Sequence, residues 1–275
     1  TTVIAAALLP YEGVLCAETG HINVHETGAI ESTGHKCLAL PHKDGLIAGS
    51  QVAVAAATQA DDEHTVRPGM VYISMSTELG TIYNRSQLKD LYYTCKQLGL
   101  YLFIDGARLS YGLAAMPEVD LPFLASVSDA FYIGGTKCGL LFGEAIVITN
   151  TEIAREFRYH IKQRGAMLAK GRLFGVQFEA MLKDGLYVEA SRKANRQAQQ
   201  IKQAFVEKGY PLFCDTKANQ IFIVLPNEAI AALQKKYVIT YWCKVDEEHA
   251  AVRLVTSVCT RDEDVAALLG DIATL

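Results

Sequence analysis

The stretches YLFIDGARLS (residues 101–110) and DAFYIGGTKCG (residues 129–139) decide how this chain folds. Each is a short apolar run that stops at glycine and polar residues. They lie about one βαβ crossover and its return apart, the spacing of strands in a parallel sheet. In an open α/β sheet the carboxyl ends of such strands converge on one crevice. The reading therefore gathers Asp105, Arg108 and Lys137 at a common edge. A carboxylate that ends an apolar run is costly without a partner. Asp105 reads as an acid facing a cation in the crevice, or as a turn acid before Gly106. Lys137 stands among glycines, which admit close approach of backbone, and this is a poor setting for a merely solvated lysine.

Around these runs, further apolar segments alternate with helical patterns, as in a parallel sheet. GVLCAE (13–18), HKCLALP (35–41), MVYISMS (70–76) and EAIVIT (144–149) read as strands. GSQVAVAAATQA (49–60) reads as a helix. SQLKDLYYTCKQLG (86–99) reads as another, capped by Ser86, stopped at Gly99, with Leu88, Leu91, Tyr92 and Cys95 at helical spacing. A long helical stretch follows from about Thr151 to Gly209. QIFIVLP (220–226), VITYWC (238–243) and AVRLVTSV (251–258) are strands of a smaller unit. Its last helix opens on a Thr260–Glu263 capping box. The expected fold class is α/β, with a large domain over residues 1–185 and a small C-terminal α/β domain over residues 186–275. The large domain has a mostly parallel central sheet flanked by helices.

The chain has 275 residues, enough to bury a large core. Its net charge of −4 gives no reason to expect nucleic acid or an anionic membrane as partner. No apolar run reaches the roughly 18 residues that span a bilayer. Seven cysteines without C-x-x-C spacing argue against a disulfide framework or a metal site, and read as reduced thiols of a cytoplasmic protein. TTVIAAALLPYEG (1–13) opens without methionine, lacks signal-peptide features, and reads as the middle of an apolar helix stopped near Pro10. The expectation is that the true amino terminus precedes Thr1.

Five segments carry a family resemblance: CAETGHINVHETGAIESTGHK (16–36), VYISMSTELGTIY (71–83), FIDGARLSYGLAA (103–115), YIGGTKCGLLFGEAIV (132–147) and VRLVTSVCTRDEDV (252–265). In order and spacing they resemble motifs of low-specificity threonine aldolases. These are pyridoxal phosphate (PLP) enzymes of the aspartate-aminotransferase-like fold, within the β-eliminating lyase group. The resemblance implies cleavage of L-threonine or L-allo-threonine to glycine and acetaldehyde. It implies that Lys137 carries PLP through its amine, which must be deprotonated to attack an aldehyde. Asp105 would lie beneath the pyridine nitrogen and keep it protonated. His21 would stack on the ring and exchange protons. Arg108 and Arg253 would hold the substrate carboxylate with planar, two-pronged donor sets. Arg253 stands inside an apolar strand, where a charge needs either a partner or a route to solvent.

Other residues have looser assignments. Glu78 occupies the place where many bacterial relatives carry a histidine in a T-H-N turn. It reads as a base toward the β-hydroxyl or as a structural turn acid. Arg172, with Lys170 in KQRGAMLAKGRLFG (162–175), reads as a ligand to a phosphate, its own or a neighbouring subunit's, or as part of a solvated helix face. His25 and Glu26 are weaker candidates on the His21 segment. His35, His42, His64, His160 and His249 read as ordinary polar positions. The Gly-Thr or Gly-Ser turn that grips phosphate in such enzymes would precede the first helix. The resemblance also implies a homodimer or homotetramer with sites at the dimer interface, acting on a small β-hydroxy amino acid. Two alternatives stay open. A PLP-dependent lyase acting on cysteine or serine would use the same lysine, aspartate and arginine. A non-catalytic α/β domain binding a sugar or nucleotide has no G-x-G-x-x-G or G-x-x-x-x-G-K-[ST] to support it.

Overall fold

Strands buried on both faces need unbroken apolar runs, and the runs of the larger sheet are of that kind. The computed structural model describes residues 1–59 and 62–275; Ala60, at the end of the predicted second helix, lies outside them. Six strands form the larger sheet: β1 (Glu12–Ala17), β2 (Cys37–Leu40), β3 (Arg67–Ser74), β4 (Tyr101–Asp105), β5 (Ala130–Gly134) and β6 (Glu144–Ile148). Their spatial order is β2-β1-β3-β4-β5-β6, parallel throughout except for β6. The β5–β6 connection is shorter than the dozen or so residues a parallel crossover needs, so β6 returns antiparallel.

Side chains alternate across this sheet. Leu15, Val71, Ile73, Leu102, Ile104 and Phe131 pack with residues of helices Gly49–Thr58, Arg85–Gln97 and Leu109–Ala115. Val14, Cys16, Met70, Tyr72 and Phe103 pack on the other face with helices Thr2–Ala7 and Phe157–Gln163. The order reverses between β1 and β3, which opens a crevice at the carboxyl ends there.

A second, antiparallel sheet holds β7 (Leu212–Cys214), β8 (Gln220–Pro226), β9 (Thr240–Lys244) and β10 (His249–Val255), in the order β7-β8-β10-β9. Ile221, Ile223, Leu225, Val252 and Leu254 pack with helices Leu186–Glu207, Asn227–Gln234 and Asp262–Ala273. Alternation sends Phe222 and Arg253 to the opposite face, where Phe222 meets Leu79, Cys214 and Trp242. Helix Leu186–Glu207 joins both cores: Tyr187 and Ala194 belong to the first, Ala198, Ile201 and Phe205 to the second.

Three local expectations change. Helix Arg85–Gln97 is capped by Asn84, not Ser86. The Asn84 side chain accepts from Gln87 N at 3.0 Å while Gln87 Oε1 accepts from Asn84 N at 2.9 Å, a reciprocal box two residues earlier. The helical stretch from Thr151 breaks into Thr151–Ala154, Phe157–Gln163, Arg172–Leu182 and Leu186–Glu207. Left-handed backbone at Glu156, Gly165, Asp184 and Gly185 interrupts the helical hydrogen-bond ladder. Thr260 does not cap the last helix; its Oγ1 accepts from Ser257 N at 2.8 Å, and the helix starts at Asp262.

Two glycines set how closely β4 and β5 end. Gly134 N donates to Gly106 O at 3.0 Å. A Cβ on Gly106 would lie 1.7 Å from Tyr132 O, and one on Gly134 would lie 2.3 Å from Gly106 O. Gly106→Ala should therefore push the two strand ends apart. A loss of about 1–3 kcal/mol or more is expected in urea unfolding, since the obstructing atom is backbone and cannot rotate away. An unchanged midpoint would show that the strands yield freely.

Candidate active site

The carboxyl ends of β1, β3, β4 and β5 face the inner side of β9 and β10 across a cavity of about 620 Å³. His21, Glu78, Asp105, Arg108, Lys137 and Arg253 all line it, together with Ser74, Gln220 and Trp242. A second hollow of about 410 Å³ shares His21, Asp105, Ala107 and Lys137 and extends toward Thr1, Tyr132 and Glu144. Of the predicted site residues, Arg172 alone stands apart. It and Lys170 are exposed and line neither hollow.

Asp105 is only 7% exposed at the end of β4. The Tyr72 hydroxyl donates to its Oδ2, the Tyr132 hydroxyl to Oδ1, and Ala107 N to Oδ1 at 2.8 Å. Burial, reinforced by the charge of Asp105, raises both phenols well above the usual tyrosine value, so they stay protonated and donate. Three donors on one carboxyl suit an acceptor-only carboxylate, with lone-pair capacity left for one further donor.

Lys137 lies in the turn Thr136–Cys138 just after β5, and its carbonyl accepts from Tyr111 Oη at 2.5 Å. The residue opens onto the cavity, yet loss of solvent around the amine, aided by the Arg108 guanidinium, lowers its pKa from the ordinary lysine value. That favours the deprotonated amine a nucleophile needs.

His21 opens a short helix, His21–Val24, directly after β1. Its Nε2 is 2.8 Å from Glu26 Oε1. Burial lowers the imidazole pKa and outweighs the opposing effect of Glu26, so the contact reads as a neutral N–H donating to a carboxylate. Glu26 is thus the partner of His21. The His25 ring lies 5.3 Å from that of His21 and also lines the cavity.

Glu78 Oε1 accepts from His21 N at 3.0 Å and from Ser74 Oγ at 2.7 Å. Burial pushes its pKa up to about 7, against the lowering effect of those donors and with help from Asp105. Glu144, which faces the second hollow, accepts from Gly135 N at 2.9 Å and is likewise pushed up to about 7, mainly by burial.

Arg108 is the cap residue of helix Leu109–Ala115, and Arg253 lies in β10. Neither is in an ion pair among the described residues. Arg253 Nη1 is 3.5 Å from Gln220 Oε1, its Cζ lies 5.9 Å from the Trp242 ring centre, and its Nε is buried without a partner. Burial lowers the Arg108 pKa, and neighbouring Arg253 lowers it further. Two guanidiniums that line one cavity without an ion-pair partner among the described residues suit an anion, and a carboxylate fits their fork geometry.

The donor set suits pyridoxal phosphate: an acid for a ring N–H, an amine whose pKa burial lowers, and a flat neutral imidazole. Sequence reasoning misses Tyr72, Tyr132, Ser74, Glu144 and Trp242. A signal was available for two of them. Tyr72 and Ser74 alternate along β3 onto one face, and Ser74 is the register partner of Asp105.

Comparison with known proteins agrees with this geometry. The family profile described as Beta-eliminating lyase matches residues 2–228. A low specificity L-threonine aldolase of a Pseudomonas species is 33% identical over 258 residues, covering 88% of this chain and 74% of its own. The enzyme of the same name from Pseudomonas aeruginosa is 34% identical over 238 residues, covering 85% of this chain and 68% of its own. A solved structure of Leishmania major threonine aldolase superposes with a TM-score of 0.96 at 38% identity, over 99% of this chain and 80% of that one. A catalytic-type lysine, a buried aspartate and an unpaired arginine couple thus meet in a chain that belongs to the beta-eliminating lyase family, a pyridoxal phosphate-dependent family.

Proposed function

We propose that this protein is a carbon–carbon lyase that cleaves L-threonine and L-allo-threonine between Cα and Cβ, releasing glycine and acetaldehyde. The observation that carries the reading is the pair of cavity-lining arginines, Arg108 and Arg253, which share one cavity with Lys137 and Asp105. The names of the Pseudomonas and Leishmania relatives support the same substrate class.

Each residue has a part that its surroundings support. Lys137 would hold the cofactor through its amine, whose pKa burial lowers. Asp105 would keep a proton on the ring nitrogen, and His21 would lie against the ring. Arg253 and Arg108 fix the substrate carboxylate, which orients the Cα–Cβ bond. Glu78 accepts the β-hydroxyl proton, a task that suits a carboxyl poised near neutrality. When bound, pyridoxal phosphate supplies the electron sink for the broken bond.

The same reading divides the chain into a cofactor-binding domain, residues 1–185, and a small domain, residues 186–275, that carries Arg253. It places the enzyme in the cytoplasm as a homodimer or homotetramer with sites at the dimer interface. Supporting this assembly, Leu141 is 84% exposed beyond Lys137, and Leu173 and Val176 are exposed on helix Arg172–Leu182. Arg172, at the start of that helix, would then serve the phosphate of a neighbouring subunit.

Three outcomes test the assignment. Lys137→Ala should abolish borohydride-fixable cofactor and its near-visible absorbance, and lower cleavage by orders of magnitude; near-normal turnover would remove Lys137 from its role. Arg253→Ala should raise the KM for threonine about ten- to a hundredfold with cofactor still bound, the loss of a charge-assisted bond. A stability change without a KM change would make Arg253 structural. The cleavage rate should fall as pH drops through about 7, because protonated Glu78 cannot act as base. Glu78→Gln should lower the rate and flatten that limb; an unchanged profile would assign the limb to another group.

A further inference from the structure

Alternation along β3, β4 and β5 puts Tyr72, Ser74, Asp105 and Tyr132 on one face of the larger sheet. Ser74 Oγ lies 2.7 Å from Glu78 Oε1 and 3.4 Å from Tyr72 Oη, and the Tyr72 hydroxyl donates to Asp105 Oδ2. A serine hydroxyl carries one hydrogen. It can serve Glu78 or Tyr72, but not both. With Glu78 ionised, Ser74 donates to it across the shorter distance. With Glu78 protonated, the carboxyl O–H donates to Ser74 Oγ, and the serine hydrogen is free to turn to Tyr72 Oη. A hydroxyl that accepts a hydrogen bond becomes a stronger donor. Tyr72 then bonds Asp105 more tightly, and Asp105 becomes a weaker acceptor for anything in the cavity.

We propose that Ser74 and Tyr72 are positioning residues that form a hydroxyl relay, through which protonation of Glu78 sets how strongly Asp105 holds the ring-nitrogen proton of the cofactor. The proposal rests on the reading of Asp105 as the ring-nitrogen partner. No proton is passed along the chain; the proton Glu78 gains stays there, and only hydroxyl hydrogens rotate. In the reaction, Glu78 gains that proton from the β-hydroxyl. With the cofactor bound, Asp105 would then draw the ring-nitrogen proton less strongly to itself.

Several charged groups face Glu78. Asp105 and Tyr72 approach from β4 and β3, Arg108 and Lys137 from the turns after β4 and β5, Tyr83 from its own loop, and His21 through its backbone N–H. Their balance with burial leaves Glu78 titrating at about 7.

Holoenzyme loaded with nitrogen-15 pyridoxal phosphate reports the ring proton directly by NMR. The ring-nitrogen shift of the wild type should step at about pH 7, and Glu78→Gln should abolish the step. Ser74→Ala and Tyr72→Phe should each reduce its amplitude to about half or less, the direct field of Glu78 on Asp105 accounting for the rest. Full amplitude in either variant overturns the relay, and if one variant fails to hold cofactor the other still decides. Asp105→Asn separates the two readings. It should move the shift to that of an unprotonated pyridine at every pH; an unmoved shift would overturn the placement of Asp105 itself.

Discussion

The site depends on keeping a carboxylate ionised at the buried end of a β-strand. Taking Asp105 out of water is unfavourable by several kcal/mol unless donors replace the lost solvation. Tyr72 and Tyr132 supply two and the Ala107 amide a third. The phenols can be there because β3, β4 and β5 are in register, with Phe103 packed between them at ring separations of 5.8 and 6.2 Å. The strands can be in register at their ends because residues 106 and 134 have no Cβ. Each requirement hands the next to a different part of the chain, so the acid is built by the sheet as a whole.

Around that acid, charges of both signs share the site: Asp105, Glu78 and Glu144 line it with Lys137, Arg108 and Arg253, and none of these three cations is in an ion pair among the described residues. Poor solvation pushes each kind toward its neutral form: the glutamates rise to about 7, and the lysine and arginines fall from their ordinary values. Such a cavity favours a ligand that brings its own carboxylate to the guanidiniums. A free amino acid has that form, and so the electrostatics and the family membership agree.

The smaller sheet completes the cavity through strand periodicity alone. Val252 and Leu254 turn toward their helices, so Arg253 between them must turn the other way, onto the face shared with Phe222 and Trp242. Helix Leu186–Glu207 ties this sheet to the first by hydrogen bonds from Tyr187 to Gly134, Ser191 to Ser110 and Asn195 to Tyr111. The position of Arg253 is therefore set by the same helix that packs against the segment carrying Arg108.

Local order along the chain determined the strands, the mostly parallel sheet and the gathering of Asp105, Arg108 and Lys137 at one edge, because apolar period and glycine placement are written in adjacent residues. It did not determine which acid-bearing turns would matter. Asn84 displaced Ser86 as a cap because the reciprocal partner Gln87 sits three residues after it, and the stretch after Thr151 broke where backbone turns left-handed, a conformation no periodicity reveals. Glu26 as partner of His21, the phenols on Asp105, and Ser74 beneath Glu78 came only from the tertiary structure. Those contacts join residues up to 33 positions apart, and their strength depends on burial and angle. A sequence shows that a tyrosine is present; only the packed sheet decides whose oxygen its hydrogen reaches.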